Sequence, residues 1–418
     1  MTVPAVVPTR GLRGPILWTL GGNLVYTVSQ WACVAVIARS LGPTDVGIFA
    51  LAGAIAAPVL VLTQLQLRIV LATDVRHSHR LSDFVVVRLW SVVLLVVAVA
   101  VAGVVVGGPE AWPVILVFGV AKALDSVADV LYGYHQRREE MRAIAIGQAV
   151  NGLLSVILLS LGVWWSGSLL VGTIGFALGS AANLFLRVVP AARTSRATDT
   201  EDPRQQPAAR ARLVRLAAPL AIVLLLSAVA TSVPRIVLEQ AAGSYTLGIY
   251  AGVSFVVLAA ANLVNALGNA LSPRLARTHA VGDRKGFIRV LGRGILFGVG
   301  LGVVGAVLAL LVGDQVLGWL YGPDYGDSGT LLAALCAVSV ISFTASFLVG
   351  GVTAARRFGQ QLPIAVVTCA VAVVGSIWFI PRSGVPGTVA VSLAAAVVQL
   401  VGYAVILRRV LRDMARRR

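Results

Sequence analysis

Twelve apolar runs, each long enough to cross a bilayer, limit what this chain can fold into. A transmembrane helix needs about 20 predominantly apolar residues. Runs of that length centre near Tyr26, Ala57, Val97, Leu124, Ser155, Phe176, Leu226, Leu258, Gly300, Val340, Ala370 and Leu393. Hydrocarbon offers no water to a bare N–H or C=O, so each run must satisfy its own backbone as a helix. The chain is 58% hydrophobic and 12% charged, whereas a soluble domain carries roughly 25% charged residues. The expected fold is an all-α polytopic membrane protein of about twelve transmembrane helices. The fourth and tenth runs read as the least apolar. The run after Arg13 is too long for a signal-peptide core and reads as an uncleaved first span.

Charge in the loops gives the orientation. Arg10 and Arg13 precede the first run. Basic clusters follow the second (Arg76, Arg80), fourth (Arg137, Arg138, Arg142), sixth (Arg193, Arg196, Arg204, Arg210, Arg212), eighth (Arg274, Arg277, Arg284, Lys285, Arg289) and tenth (Arg356, Arg357) runs, and the chain ends in Arg416, Arg417 and Arg418. The alternate loops carry only Arg39 and Arg382, beside Asp45, Glu110, Glu239, Asp314, Asp324 and Asp327. The positive-inside rule then puts both termini in the cytoplasm. The net charge of +17 is spread over short clusters between apolar runs. It forms neither a face nor a tail for nucleic acid and instead suits anionic membrane lipids. Trp112, Trp164, Trp165, Trp319 and Trp378 fall near the outer ends of spans, as interfacial anchors do. Cys33, Cys336 and Cys369 lie far apart within apolar runs and call for no disulfide or metal site.

The chain also repeats itself. Arg39–Ala50 reads RSLGPTDVGIFA and Gln240–Ala251 reads QAAGSYTLGIYA, so Gly42 meets Gly243, Gly47 meets Gly248, and Phe49 meets Tyr250. Arg76 meets Arg277 at the same offset. The spacing of about 200 residues suits the paired halves of a transporter. The expected organisation is a six-helix bundle over 1–190, a Pro- and Ser-containing cytoplasmic linker over 191–212, and a second six-helix bundle over 213–418. The two hairpins should sit across a pseudo-two-fold axis, flanking the outer mouth of a central cavity, with Arg39 as the outer-gate residue.

Polar groups inside spans carry the functional signal, because an ionised group there costs roughly 2.5–3.5 kcal/mol. Lys122, Asp125 and Asp129 share one face of the fourth span at i, i+3 and i+7. One carboxylate can neutralise Lys122 structurally; the second is then left to bind a cation or to titrate. The seventh span carries Ser227, Thr231, Arg235 and Glu239 in steps of four, with Arg235–Glu239 spaced for an ion pair and Pro234 placed to kink the helix. Asn23 and Gln30 line the first span, Gln64 and Arg68 the second, and Asn262, Asn265 and Asn269 the eighth. The third, fifth, ninth and twelfth spans hold few such groups.

These residues carry a family resemblance. Gly22-Asn23-Leu24-Val25-Tyr26 with Gln30-Trp31, Leu41-Gly42-Pro43 through Gly47-Ile48-Phe49-Ala50, Gln64 through Arg68, Asp125-Ser126 through Gln136-Arg137-Arg138-Glu139, and Leu320-Tyr321-Gly322-Pro323-Asp324-Tyr325 resemble the polysaccharide or lipid-linked oligosaccharide flippases of the multidrug/oligosaccharidyl-lipid/polysaccharide exporter superfamily. The resemblance implies two six-helix bundles around a central cavity in a bacterial cytoplasmic membrane. It implies that a polyprenyl-diphosphate-linked glycan is carried to the outer leaflet by alternating access, coupled to H+, Na+ or the membrane potential. It assigns Lys122, Arg235, Arg39 and Arg68 to the diphosphate. Asp125 and Asp129 become coupling candidates with Glu239. Asn23, Gln30 and Gln64 are candidates for the glycan. Glycosyltransferases and a glycan polymerase are the expected functional neighbours, and no cofactor is implied. Pro234 departs from the family, which commonly has an acidic residue there.

Two other classes compete. A drug or metabolite exporter of the same superfamily would favour an acidic, aromatic-lined cavity, against which Lys122 and Arg235 argue. A membrane glycan ligase or polymerase usually needs a large outer loop or clustered catalytic groups; the longest outer loop, around 313–327, is short. No Walker A motif is present.

Overall fold

The computed structural model describes residues 13–73, 81–190 and 207–416. Arg76, His77, His79, Arg80 and most of the 191–212 linker lie outside the described residues. The elements run α1 (Arg13–Leu41), α2 (Pro43–Gln64), α3 (Leu67–Thr73), α4 (Leu81–Val106), α5 (Gly108–Arg137), α6 (Met141–Ser166), α7 (Leu169–Asn183), α8 (Pro207–Ala280), α9 (Arg284–Tyr321), α10 (Gly329–Ala354), α11 (Gln361–Ser383) and α12 (Val385–Arg416). Short helical turns follow α7 and α9 and precede α11; among the described residues there is no strand.

Among the described residues ten segments are long and apolar enough to cross a membrane. One of them, Ala221–Ala280, holds two crossings separated at Gly243. Helix α5 has the length but is too polar to stand among the ten. Counting both limbs of α8 and adding α5 gives twelve crossings. Helix α10, read above as poorly apolar, is apolar enough to cross. Its hydroxyls are also quiet: Ser339, Ser342, Thr344 and Ser346 each donate to the carbonyl four residues back. Pro234 stays inside α8 without breaking it; Gly243 is the only residue of α8 outside helical geometry.

Helices α1 to α7 form one half and α8 to α12 the other. In the first half α1 packs on α6, α6 on α7, and α5 on α2, α4 and α7. In the second, α9 packs on α10, α11 on α12, and both α10 and α11 on α8. The halves meet mainly where α2 lies along α8. Away from the basic loops one apolar core joins both halves, with Ile37, Phe49 and Phe118 from the first and Leu247, Tyr250 and Leu317 from the second. Toward the basic loops the core divides. Leu67, Leu71, Phe84 and Tyr134 close the first half there, and Leu275, Phe287, Phe347 and Leu407 close the second. The halves are thus sealed at the far face and packed separately at the basic face. Outward-facing side chains include Trp90, Trp164, Trp165, Trp319 and Trp378, all strongly exposed. Lipid is the solvent that suits such a surface.

The seal is made by the repeated hairpins. Gly42 (φ 95°, ψ −178°) and Gly243 (φ 79°, ψ 169°) share one backbone conformation, which L-residues with a Cβ rarely adopt. Beyond each, the chain starts a helix that crosses its counterpart. A Cβ on Gly47 would lie 1.8 Å from the Ser244 carbonyl oxygen, and one on Gly248 would lie 1.8 Å from that of Pro43. Ser244 is the repeat counterpart of Pro43, so the contact is reciprocal, as an isologous two-fold interface requires. The hairpins therefore do not flank an open mouth; they close it against each other. Trp31 Nε1 of the first half donates to the Tyr321 hydroxyl of the second at 2.8 Å beside this seal.

Candidate functional site

The polar groups of the first half converge on α5. Its face carries Phe118, Lys122, Asp125, Ser126, Asp129 and Gln136, spaced by three, four or seven residues along one side of the helix. Lys122 Nζ donates to Asp125 Oδ2 at 3.0 Å. The other oxygen, Asp125 Oδ1, accepts from Asn151 Nδ2 of α6 at 2.9 Å. The ammonium also lies 4.8 Å from the ring centre of Phe176 and 5.4 Å from that of Phe118. Those two rings stack 5.8 Å apart, with Phe49 edge-on to both. A cation between a carboxylate and aromatic faces is well held once desolvated. The Lys122 and Asp125 side chains are only 14% and 18% exposed.

One helical turn nearer the basic face is a second ion pair. Arg68 Nη1 meets Asp129 Oδ1 at 3.1 Å, and Arg68 Nε donates to Gln136 Oε1 at 3.1 Å. The sequence count left one carboxylate over after Lys122; the structure neutralises it with Arg68. The reason is a chain break. Helix α2 stops at Gln64, Leu65 and Gln66 take left-handed φ of 48° and 49°, and α3 then swings Arg68 onto α5. Gly133 lets α3 approach, since a Cβ there would lie 2.9 Å from the Arg68 carbonyl oxygen.

A third cation went unread in the sequence. Arg88 of α4 is the largest fully buried side chain among the described residues. It donates from Nη1 to Ser126 Oγ at 2.9 Å and to the Thr63 carbonyl oxygen at 3.3 Å. The third span is therefore not poor in buried polar groups. Asp83 of the same helix is also buried. The signal was present, because Arg88 stands alone in VVVRLWSVV. Asn151 was missed as well; only the α5–α6 packing reveals it.

The remaining candidates stay apart from this cluster. Arg39 is exposed beside the hairpin seal and takes no part in its closest contacts. Arg235 of α8 is half-buried and has no ion-pair partner among the described residues. The expected Arg235–Glu239 pair is not formed, and Glu239 accepts from Ser244 Oγ at 3.2 Å instead. Asn23, Gln30 and Gln64 make no side-chain hydrogen bond among the described residues, and Asn23 is exposed. No group of three or more His, Cys, Asp or Glu gathers as metal ligands would among the described residues. All three cysteines are free.

Comparison with known proteins agrees with this architecture. The capsular polysaccharide biosynthesis protein CapF of Staphylococcus aureus is 23% identical over 389 residues, which cover 93% of this chain and 97% of CapF. The lipid II flippase MurJ, in an inward closed conformation, superposes with a TM-score of 0.74 at 12% identity, over 96% of this chain and 90% of MurJ. An inward-facing multidrug resistance transporter of the MATE family gives a TM-score of 0.64 at 12% identity, over 97% of both chains. At such identities the likeness is one of fold. Residues 13–279 match the family model described as polysaccharide biosynthesis protein. With both halves of the seal and the whole α5 cluster inside that match, the chain belongs to the polysaccharide biosynthesis protein family.

Proposed function

We propose that the protein is a flippase that moves a polyprenyl-diphosphate-linked oligosaccharide from the inner to the outer leaflet of a bacterial cytoplasmic membrane. Both termini lie in the cytoplasm, on the side of the basic loops, so the divided end of the molecule faces the leaflet where the lipid-linked glycan is made. Glycosyltransferases supply the substrate and a polymerase or ligase consumes it. The observation that carries the proposal is an arginine inside a span with no counter-ion. Arg68 and Lys122 are neutralised by Asp129 and Asp125 in the first half, whereas Arg235 of the second has no ion-pair partner among the described residues. A cation left without a partner is costly in a bilayer and favours an anionic guest. A cationic drug would meet the wrong sign at Arg235. The free amides of Asn23, Gln30 and Gln64 suit sugar hydroxyls.

Transport alternates between the observed state and one in which the hairpin seal parts. The energy comes from an H+ or Na+ gradient or from the membrane potential. Glu239 is the coupling candidate without a cation partner among the described residues, whereas Asp125 and Asp129 would first have to leave Lys122 and Arg68. In cells that depend on this protein for glycan export, Arg235→Ala should cut export about tenfold or more at unchanged membrane level, as loss of a charge-assisted phosphate contact would. Export at the wild-type rate would remove Arg235 from the substrate path.

A further inference from the structure

Two arginines bear on one face of α5 in the first half. Arg68 engages Asp129 through Oδ1, and Arg88 is held three residues away at Ser126. Arg88 is 1% exposed, yet its Nε and Nη2 have no partner among the described residues. An unmet buried donor is costly, and more so when charged. Ser126, which Arg88 does reach, lies one turn from Asp129 on the same face of α5. The Arg88 guanidinium is thus anchored one helical turn from a carboxylate.

Arg68 has the opposite character. It is 28% exposed, its guanidinium leans on the Tyr132 ring at 5.9 Å, and it rides on the seven-residue helix α3. The link from α2 to α3 runs through two non-glycine residues in left-handed geometry. Strain of this kind clusters at ligand clamps and switch regions. Arg88 is fixed in the packed α4–α5 interface and also caps the broken end of α2 through Thr63.

Resting on the flippase reading above, we infer that Arg88 is a positioning residue: a reserve counter-ion that takes over Asp129 when Arg68 turns to the diphosphate of the lipid carrier. With Arg88 present, the departure of Arg68 never leaves Asp129 uncompensated. Without it, Asp129 holds Arg68 and competes with the substrate. The sequence contains no sign of this role, because Arg88 and Asp129 come together only when α4 packs on α5.

Two measurements on the full-length detergent-solubilised protein test it. The first needs no ligand. Arg68→Gln imitates the departed arginine, and in that background Arg88→Gln should lower Tm by at least about 2 °C more with Asp129 present than with Asp129→Asn also present. Equal shifts would mean that Arg88 only caps α2, and the inference would be wrong. The second uses farnesyl diphosphate as the probe. Arg88→Gln should weaken its binding about tenfold, a coupling of ordinary size, and adding Asp129→Asn should restore most of the loss. Arg88→Lys, which keeps the charge, should bind nearly as wild type. Additive losses, or Arg88→Lys as weak as Arg88→Gln, would overturn the inference. If wild type ignores the probe while the thermal coupling persists, the exchange stands and the flippase reading falls.

Discussion

Gly47→Val will open the far face and stop transport. In the present packing the Gly47 Cβ position lies 1.8 Å from the Ser244 carbonyl oxygen, which is backbone and cannot turn aside. Any side chain there must push α2 away from α8. Overpacking of this kind costs about 1–3 kcal/mol, which moves the closed–open equilibrium by about fivefold to 150-fold. Gly248→Val should behave alike, because its contact with Pro43 is the mirror of the first. The check is a cysteine at Ala251, 2% exposed in the sealed state, placed in a background free of the three native cysteines. A membrane-impermeant maleimide should label it quickly in the Gly47→Val variant and slowly otherwise. Slow labelling together with normal export in the variant would show that the hairpins are not the seal.

The second large effect is on stability. Asp125→Asn removes the carboxylate that faces Lys122 in a site where both side chains are largely buried. Losing one partner of a buried pair costs about 3–5 kcal/mol. The aromatic faces of Phe118 and Phe176 soften that loss but do not replace a counter-ion. Lys122→Met should destabilise similarly, since it leaves Asp125 with only Asn151. The double variant Lys122→Met with Asp125→Leu should recover much of the stability, because an apolar pair needs no counter-ion. Thermal unfolding in detergent measures all three. If the double variant is stable but does not transport, the pair serves transport; if it is stable and transports, the pair is structural.

Much of the architecture was legible because the bilayer imposes simple rules. Twelve runs, alternating basic loops and the echo of Arg39–Ala50 in Gln240–Ala251 were enough to expect two six-helix bundles and a two-fold relation. Lys122 with Asp125 was legible too, since i,i+3 spacing on a helix brings the residues together whatever surrounds them. Contacts between helices were not. Arg68 reaches Asp129 only because α2 breaks at Leu65 and Gln66, and neither residue advertises a left-handed turn as glycine would. Arg235 and Glu239 have the spacing of a pair and do not form one, because Ser244 just past the Gly243 break takes the carboxylate. The hairpins could be paired by eye, but whether they flank an opening or close it depends on how nearly the α2 and α8 backbones approach. That distance is set by absent side chains at Gly47 and Gly248.

This interior is expected to move an anionic lipid-linked glycan between leaflets. The most direct measurement uses proteoliposomes loaded with a fluorescent polyprenyl-diphosphate oligosaccharide and a membrane-impermeant glycosidase added outside. With wild-type protein under an imposed ion gradient, the fraction of glycan cleaved should rise beyond the half that begins in the outer leaflet, and Arg235→Ala should abolish most of the rise. No rise with wild-type protein, in vesicles where the same preparation exchanges a cationic dye, would contradict the account and favour the drug-exporter reading.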